Sequence, residues 1–246
     1  MTIFSQATLF RTVAQLDQLP SDSETEVAFA GRSNAGKSSA INAITNRRRL
    51  AFVARQPGKT RMIQMFEVQP GRCLVDLPGY GYAKVDETTR RKWIRLVDQY
   101  LRERTKLQGL VLIMDVRHPL TPLDQYLLDW FAPRRLPIHI LLTKADKLSR
   151  SQAIIALREF KKRMDALGIA YSVQLFSSQT QEGVEEVQKI VAGWLELQVG
   201  STEDSASPNK NPRLKGSKAG GKNALIGIKA PAQGGEAGDD EASSGE

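Results

Sequence analysis

Lys37 and Ser38 follow Gly31 and Gly36 in the run Gly31-Arg32-Ser33-Asn34-Ala35-Gly36-Lys37-Ser38, the spacing G-x-x-x-x-G-K-[ST] of a phosphate-binding loop. The chemistry is anion seating. Gly31 and Gly36 let the backbone from Arg32 to Ala35 wrap close to phosphate oxygens, and the helix opening at Lys37, Ser38 and Ser39 adds its positive dipole end. The Lys37 ammonium is placed to reach a β- and a γ-phosphate, and the Ser38 hydroxyl to ligate magnesium. Asp76 and Gly79, in Asp76-Leu77-Pro78-Gly79, supply a carboxylate for the magnesium shell and a backbone N–H for the γ-phosphate. Between them, Gln56-Pro57-Gly58-Lys59-Thr60 reads as a loop. There Gly58 and Thr60 are candidates for a nucleotide switch, the Thr60 hydroxyl binding metal and γ-phosphate only while that phosphate is present.

A second constellation reads a base. In Thr143-Lys144-Ala145-Asp146, close to the Asn-Lys-x-Asp element of guanine-nucleotide sites, the Asp146 carboxylate can accept from both N1–H and the exocyclic amine of guanine. Adenine offers neither donor in that geometry, and a desolvated, unpaired carboxylate costs on the order of 1–3 kcal/mol or more, so the choice is enforced by penalty as well as attraction. Phe176-Ser177-Ser178, just past a later apolar run, can present backbone N–H to guanine O6. Thr143 stands where such elements usually carry asparagine, which predicts a looser tie between base loop and phosphate loop.

These residues need a scaffold that brings them to one place. Leu110 to Asp115 and Ile138 to Leu142 are continuous apolar runs of the kind buried on both faces of a parallel sheet, and Glu26 to Ala30 is short enough to be a buried strand leading into the phosphate loop. Met62 to Val68 and Arg72 to Val75, joined at Pro70-Gly71, read as a hairpin, and Tyr171 to Phe176 as a last strand. The expected architecture is a three-layer α/β domain: a mostly parallel six-stranded sheet with one antiparallel edge strand and helices on both faces. Residues 1–23 read as an N-terminal leader, 24–198 as the nucleotide-binding domain, and 199–246 as a disordered tail of Ser, Gly, Ala, Pro, Lys and Asp with too little apolar surface to offset chain entropy.

The chain has 246 residues, 41% of them hydrophobic, enough to bury one full core. Cys73 is its single cysteine, so no intramolecular disulfide framework is available, and no Cys/His cluster has metal-ligand spacing. No apolar run approaches the ~18 residues of a membrane span, and the N-terminus lacks the order of a signal peptide, which points to a soluble cytoplasmic protein. The net charge is +8, and residues 1–200 carry 29 Lys/Arg against 20 Asp/Glu, so the basic excess lies in the body and favours a polyanionic partner.

Taken in order, these motifs resemble those of translation-factor-class small GTPases, and more closely the EngB/YihA/YsxC family of bacterial ribosome-biogenesis GTP-binding proteins. Three stretches carry the closer resemblance: Gly31 to Ser39, Pro57-Gly58-Lys59-Thr60, and Asp76-Leu77-Pro78-Gly79-Tyr80-Gly81-Tyr82-Ala83-Lys84. The resemblance implies a GTPase, binding GTP and GDP with Mg2+, that assists assembly of the large ribosomal subunit through its rRNA and proteins, with a link to cell division and septation, and acting as a monomer. A reading of another class is a regulatory GTP-binding module that docks a protein of cell division or the envelope. Lys37, Thr60, Gly79 and Asn34 are the candidates for the hydrolytic step, and Ser38, Thr60 and Asp76 for the metal. Tyr80 stands where Ras-like proteins have the water-orienting glutamine, so slow intrinsic turnover is expected. In GTPases that resemble this chain around Asn-Ala-Gly-Lys-Ser, an asparagine at the Asn34 position helps ligate K+; equally, Asn34 can satisfy backbone groups of its own loop.

Overall fold

The longest apolar runs become the middle of a seven-stranded sheet. The computed structural model describes residues 2–51, 62–81 and 87–198. Its strands are β1 (Thr8–Val13), β2 (Thr25–Gly31), β3 (Ile63–Gln69), β4 (Arg72–Asp76), β5 (Leu107–Asp115), β6 (Ile138–Thr143) and β7 (Ser172–Leu175). Five helices connect them: α1 (Lys37–Ile44), α2 (Glu87–Glu103), α3 (Pro122–Phe131), α4 (Arg150–Asp165) and α5 (Val184–Trp194). The spatial order is β1-β3-β4-β2-β5-β6-β7. β2 pairs parallel with β4 and β5, β5 with β6, and β6 with β7, while β3 runs antiparallel to both β4 and β1.

Seven strands replace the expected six, and the added one comes from the stretch read as a leader. Thr8–Val13 alternates weakly and leaves four of its six residues exposed, so its apolar signal is faint. It forms because β3 would otherwise end the sheet with unpaired N–H and C=O groups. The antiparallel β3 is therefore the second strand from the margin and β1 is the margin itself. The tail expected at 199–246 lies outside the described residues.

Strand residues alternate between two cores, as the pleat requires. Ala28, Ala30, Leu110, Leu112, Met114, Ile140 and Leu142 face the side covered by Val97, Tyr100 and Leu101 of α2, Leu127, Leu128 and Phe131 of α3, and Phe160 and Met164 of α4. Val27, Phe29, Val111, Ile113 and Leu141 face Ile41 and Ile44 of α1 and Val187 and Val191 of α5. Each fully buried aliphatic or aromatic side chain contributes about 1.5–3 kcal/mol by leaving water. Cys73 belongs to the first core; burial first, then the charges of Glu26 and Glu67, push its thiol to about 12, and it acts as a small apolar residue. With β4 and β5 on opposite sides of β2, the chain changes direction there, and α/β sheets bind ligands at the carboxyl ends of strands at such a point.

Candidate functional site

Every described candidate lies at that carboxyl rim: Gly31 to Ser39 after β2, Asp76 to Gly79 after β4, Thr143 to Asp146 after β6 and Phe176 to Ser178 after β7. Gly58 and Thr60 lie outside the described residues, as do Tyr82, Ala83 and Lys84. Gly31 ends β2 where a Cβ would come within 2.6 Å of the Ile113 carbonyl oxygen, so the close approach of β2 to β5 requires glycine. Gly36 precedes α1 at φ 102°, in the left-handed region, and turns the chain so that Lys37, Ser38 and Ser39 open the helix with their N–H groups unpaired by the helix itself.

Backbone hydrogen bonds narrow the set of anion donors. The Ser33 N–H donates to the Tyr80 carbonyl (2.8 Å) and the Ala35 N–H to the Arg32 carbonyl (3.0 Å), so these two amides hold the loop's shape. An oxygen seated here is met instead by Gly36 and the first turn of α1. Tyr80 in turn donates its N–H to the Gly31 carbonyl (3.3 Å), and Gly79 lies so close that a Cβ on it would stand 3.3 Å from Ser33 Cα. The segment after β4 is thus stitched to the start of the phosphate loop. The Lys37 ammonium pairs with the Asp76 carboxylate, both of them buried. Burial pushes the Asp76 carboxyl up and Lys37 opposes that rise.

The residues fit magnesium. Ser38 offers a hydroxyl and Asp76 a carboxylate, hard oxygen donors of the kind Mg2+ takes in ones and twos while keeping waters and phosphate oxygens for its remaining positions. The raised affinity of Asp76 for protons marks a buried carboxyl that a second cation would stabilise in its charged form.

The base loop is tied to the phosphate loop through Thr143 and Lys144. Thr143, buried at the end of β6, has its hydroxyl oxygen within hydrogen-bonding distance of the Ala35 carbonyl and 3.0 Å from that of Met114. Lys144, at φ 61°, extends its ammonium to the Asn34 carbonyl (2.7 Å) and to Asp115 Oδ2 (3.0 Å). Asn34 is exposed at φ 65°, a conformation asparagine tolerates better than most residues. Asp146 accepts the Ser177 hydroxyl (2.7 Å), which holds its carboxyl below the usual range despite partial burial, and Lys147 lies 3.2 Å away. Ser177 is itself fixed by N–H donation from Gln179 and Thr180, both at 3.2 Å. Phe176 zips the two loops together, its N–H donating to the Leu142 carbonyl (2.9 Å) and its carbonyl accepting the Ala145 N–H (3.2 Å).

Two features escape sequence reasoning. Asp115, at the carboxyl end of β5, holds both Lys144 and Arg117, and those hydrogen bonds outweigh burial to keep its carboxyl well below the usual range. Its signal in sequence is an aspartate terminating an apolar strand. Tyr80 packs into the core, and its phenol donates to the buried Asp124 of α3 (2.7 Å). Burial, followed by the Asp124 charge and hydrogen bond, pushes the Tyr80 hydroxyl far above its usual value despite the nearby Arg32 charge, so it stays protonated and bonded to Asp124.

The family described as 50S ribosome-binding GTPase matches residues 26–144. The probable GTP-binding protein EngB of Aromatoleum aromaticum is 55% identical over 197 residues, covering 80% of this chain and 91% of that protein. Its counterpart in Dechloromonas aromatica is 51% identical over 212 residues, covering 85% and 96%. Among solved structures, the crystal structure of a probable GTP-binding protein engB superposes with a TM-score of 0.55 at 20% identity, over 70% of this chain and 99% of that one, a likeness of fold. The structural likeness alone would leave the choice among phosphate-loop families open, but identity above one half over 91% of a relative closes it: the chain belongs to the EngB family of GTP-binding proteins and is a GTPase.

Proposed function

We propose that this GTPase is a GTP-dependent switch that assists assembly of the large ribosomal subunit, working as a cytoplasmic monomer. The observation that carries the reading is the match to 50S ribosome-binding GTPases, which covers the phosphate loop, Asp76 to Gly79 and the start of the base loop. A basic body of 29 Lys/Arg against 20 Asp/Glu over residues 1–200 suits an rRNA partner, and among the described residues no helix is long and apolar enough to cross a membrane.

In this reading Lys37 exchanges Asp76 for the β- and γ-phosphates, Ser38, Asp76 and Thr60 hold Mg2+, and the Gly79 N–H meets the γ-phosphate. When bound, the metal neutralises charge on the phosphate oxygens. Gly58 and Thr60 act as the part that responds to the γ-phosphate, and Asp146 selects guanine, oriented by the Ser177 hydroxyl; because the N–H groups of Phe176 and Ser177 are given to Leu142 and Glu182, the donor expected for guanine O6 falls to Ser178. With the Tyr80 hydroxyl committed to Asp124, intrinsic turnover is slow and activation falls to a partner or to K+ beside Asn34, whose side chain is exposed on the loop. Comparing GTP hydrolysis in K+ and in Na+ at equal ionic strength tests the ion; identical rates remove it.

The decisive experiment is sedimentation of the protein with 50S particles and their precursors from depleted cells, in GTP, a non-hydrolysable analogue, or GDP. Association in the triphosphate state that weakens in GDP is expected. Association independent of nucleotide, or none above low salt, would instead favour a module that docks a protein of cell division.

A further inference from the structure

β6 carries a buried histidine near its start, within an otherwise apolar run that ends at Thr143. His139 is 1% exposed, and on the neighbouring strand Gln174 is 5% exposed, so each must find partners inside the protein or incur a desolvation cost. The pairing of β6 with β7 sets His139 opposite Ser172 and Leu141 opposite Gln174, which puts both β7 side chains on the histidine's face of the sheet. His139 Nδ1 lies 2.7 Å from Ser172 Oγ, and Nε2 lies 2.8 Å from Gln174 Oε1. The amide nitrogen of Gln174 donates to the Gly183 carbonyl (2.6 Å).

Only one proton arrangement satisfies this line. Gln174 Oε1 can only accept, so His139 Nε2 donates, Nδ1 accepts from the Ser172 hydroxyl, and the amide is oriented with its NH2 toward Gly183. The reversed amide would set its oxygen against a carbonyl oxygen. Burial keeps the ring neutral, which the arrangement needs; Glu186 of α5 and the Gln174 hydrogen bond act in the opposite direction, more weakly.

Gly183 is where this line meets the base loop. It sits at φ 77°, and a Cβ there would stand 2.2 Å from the Gln174 amide nitrogen, so only glycine admits the contact. The preceding residue, Glu182, accepts the Ser177 N–H at 3.0 Å, and the Ser177 hydroxyl donates to Asp146 at 2.7 Å. The loop 177–183 is therefore closed on itself and held from below at Gly183, whose carbonyl accepts from Gln174 and, at a longer 3.3 Å, from the Val187 N–H of α5, with its upper end aiming the carboxylate.

We propose that His139 and Gln174 are positioning residues for guanine selectivity, holding Gly183 and through it the loop that orients Ser177 and Asp146. The inference rests on the reading of Asp146 as the acceptor for guanine. Neither residue touches the nucleotide.

The test uses the full chain and three probes in competition binding: GDP, IDP, which lacks the exocyclic amine, and inorganic pyrophosphate, which has no base. Gln174→Glu keeps the acceptor for His139 and loses the donor to Gly183. It is expected to weaken GDP by about three- to tenfold, the equivalent of one net hydrogen bond, to narrow the GDP-to-IDP ratio, and to leave pyrophosphate unchanged. His139→Leu should act in the same direction, His139→Gln should restore most of the ratio by replacing the Nε2 donor, and the two losses should be non-additive when combined. Equal losses for all three probes, or an unchanged GDP-to-IDP ratio in variants that fold, would reduce the pair to ordinary core residues. Asp146→Asn in the wild-type background separates the two levels. If it fails to shift preference to xanthosine diphosphate, the base reading itself falls; if it succeeds while the Gln174 and His139 variants keep their ratio, only the relay falls.

Discussion

Replacing Thr143 by valine removes one hydroxyl and almost no volume, which makes it a clean probe of the joint between the two loops. The hydroxyl has one proton and two carbonyls within reach, those of Ala35 and Met114, in a site only 3% exposed. Deleting it leaves a buried acceptor without that donor and sets a methyl against two carbonyl oxygens. A buried polar group so orphaned costs about 1–3 kcal/mol, more than the ~1 kcal/mol net value of the bond itself. For a domain of this size each kcal/mol lowers the melting temperature by roughly 2–4 °C, so a fall measurable by differential scanning fluorimetry is expected. Because Ala35 belongs to the phosphate loop, GDP affinity should fall as well, and Thr143→Ser, which keeps the donor, should lose less of both. A Thr143→Val variant with wild-type melting temperature and GDP affinity would refute the claim that this hydroxyl joins the loops.

Lys37→Ala should abolish most GDP binding in calorimetry and also destabilise the unliganded protein by up to about 3–5 kcal/mol, since Asp76 loses its buried partner; adding Asp76→Asn should recover the stability and not the binding. Tyr80→Phe should lower stability by about 1–3 kcal/mol, since the buried Asp124 carboxyl loses a donor, while leaving single-turnover GTP hydrolysis within a few-fold of wild type, because the phenol points at Asp124; a large rate loss would return Tyr80 to the chemistry. Stability should also depend on pH in a predictable direction. His139 titrates below its ordinary 6.5 in the fold, so the unfolded chain binds the proton first; the stabilisation is complete above pH 6.5 and declines as pH falls through it. Melting temperatures measured between pH 5 and 7.5 should show that slope, and His139→Gln should flatten it.

Much of this site could be read from sequence because its signals are local. The phosphate loop is eight consecutive residues between a buried strand and a helix, Asp76 ends an apolar run, and Asp146 lies four residues past another. What sequence could not supply are partnerships between distant positions. Lys144 reaches back to Asn34, Tyr80 forward to Asp124, and Thr143 to Ala35, contacts that exist only because β2, β4 and β6 end at one rim. At Thr143, residue type shows what a side chain can donate, not how near its acceptor stands. β1 was missed for a different one, since a strand that lies on an open margin with most of its residues in water carries little periodicity.

The margins of the sheet also limit how this protein can be approached. On one side β1 is six residues long, breaks register between Leu9 and Arg11, and places the Arg11 guanidinium 5.5 Å from the Phe10 ring centroid. On the other, β7 has four residues. A bulge, a cation and short length are the devices by which sheets resist growth, so neither side is a good template for a foreign strand. Self-association into extended sheets is disfavoured for the same reason. Strand addition is accordingly an unfavourable mode of recognition for this GTPase, which leaves rim loops and helix surfaces, rather than ladder hydrogen bonds, to meet a partner.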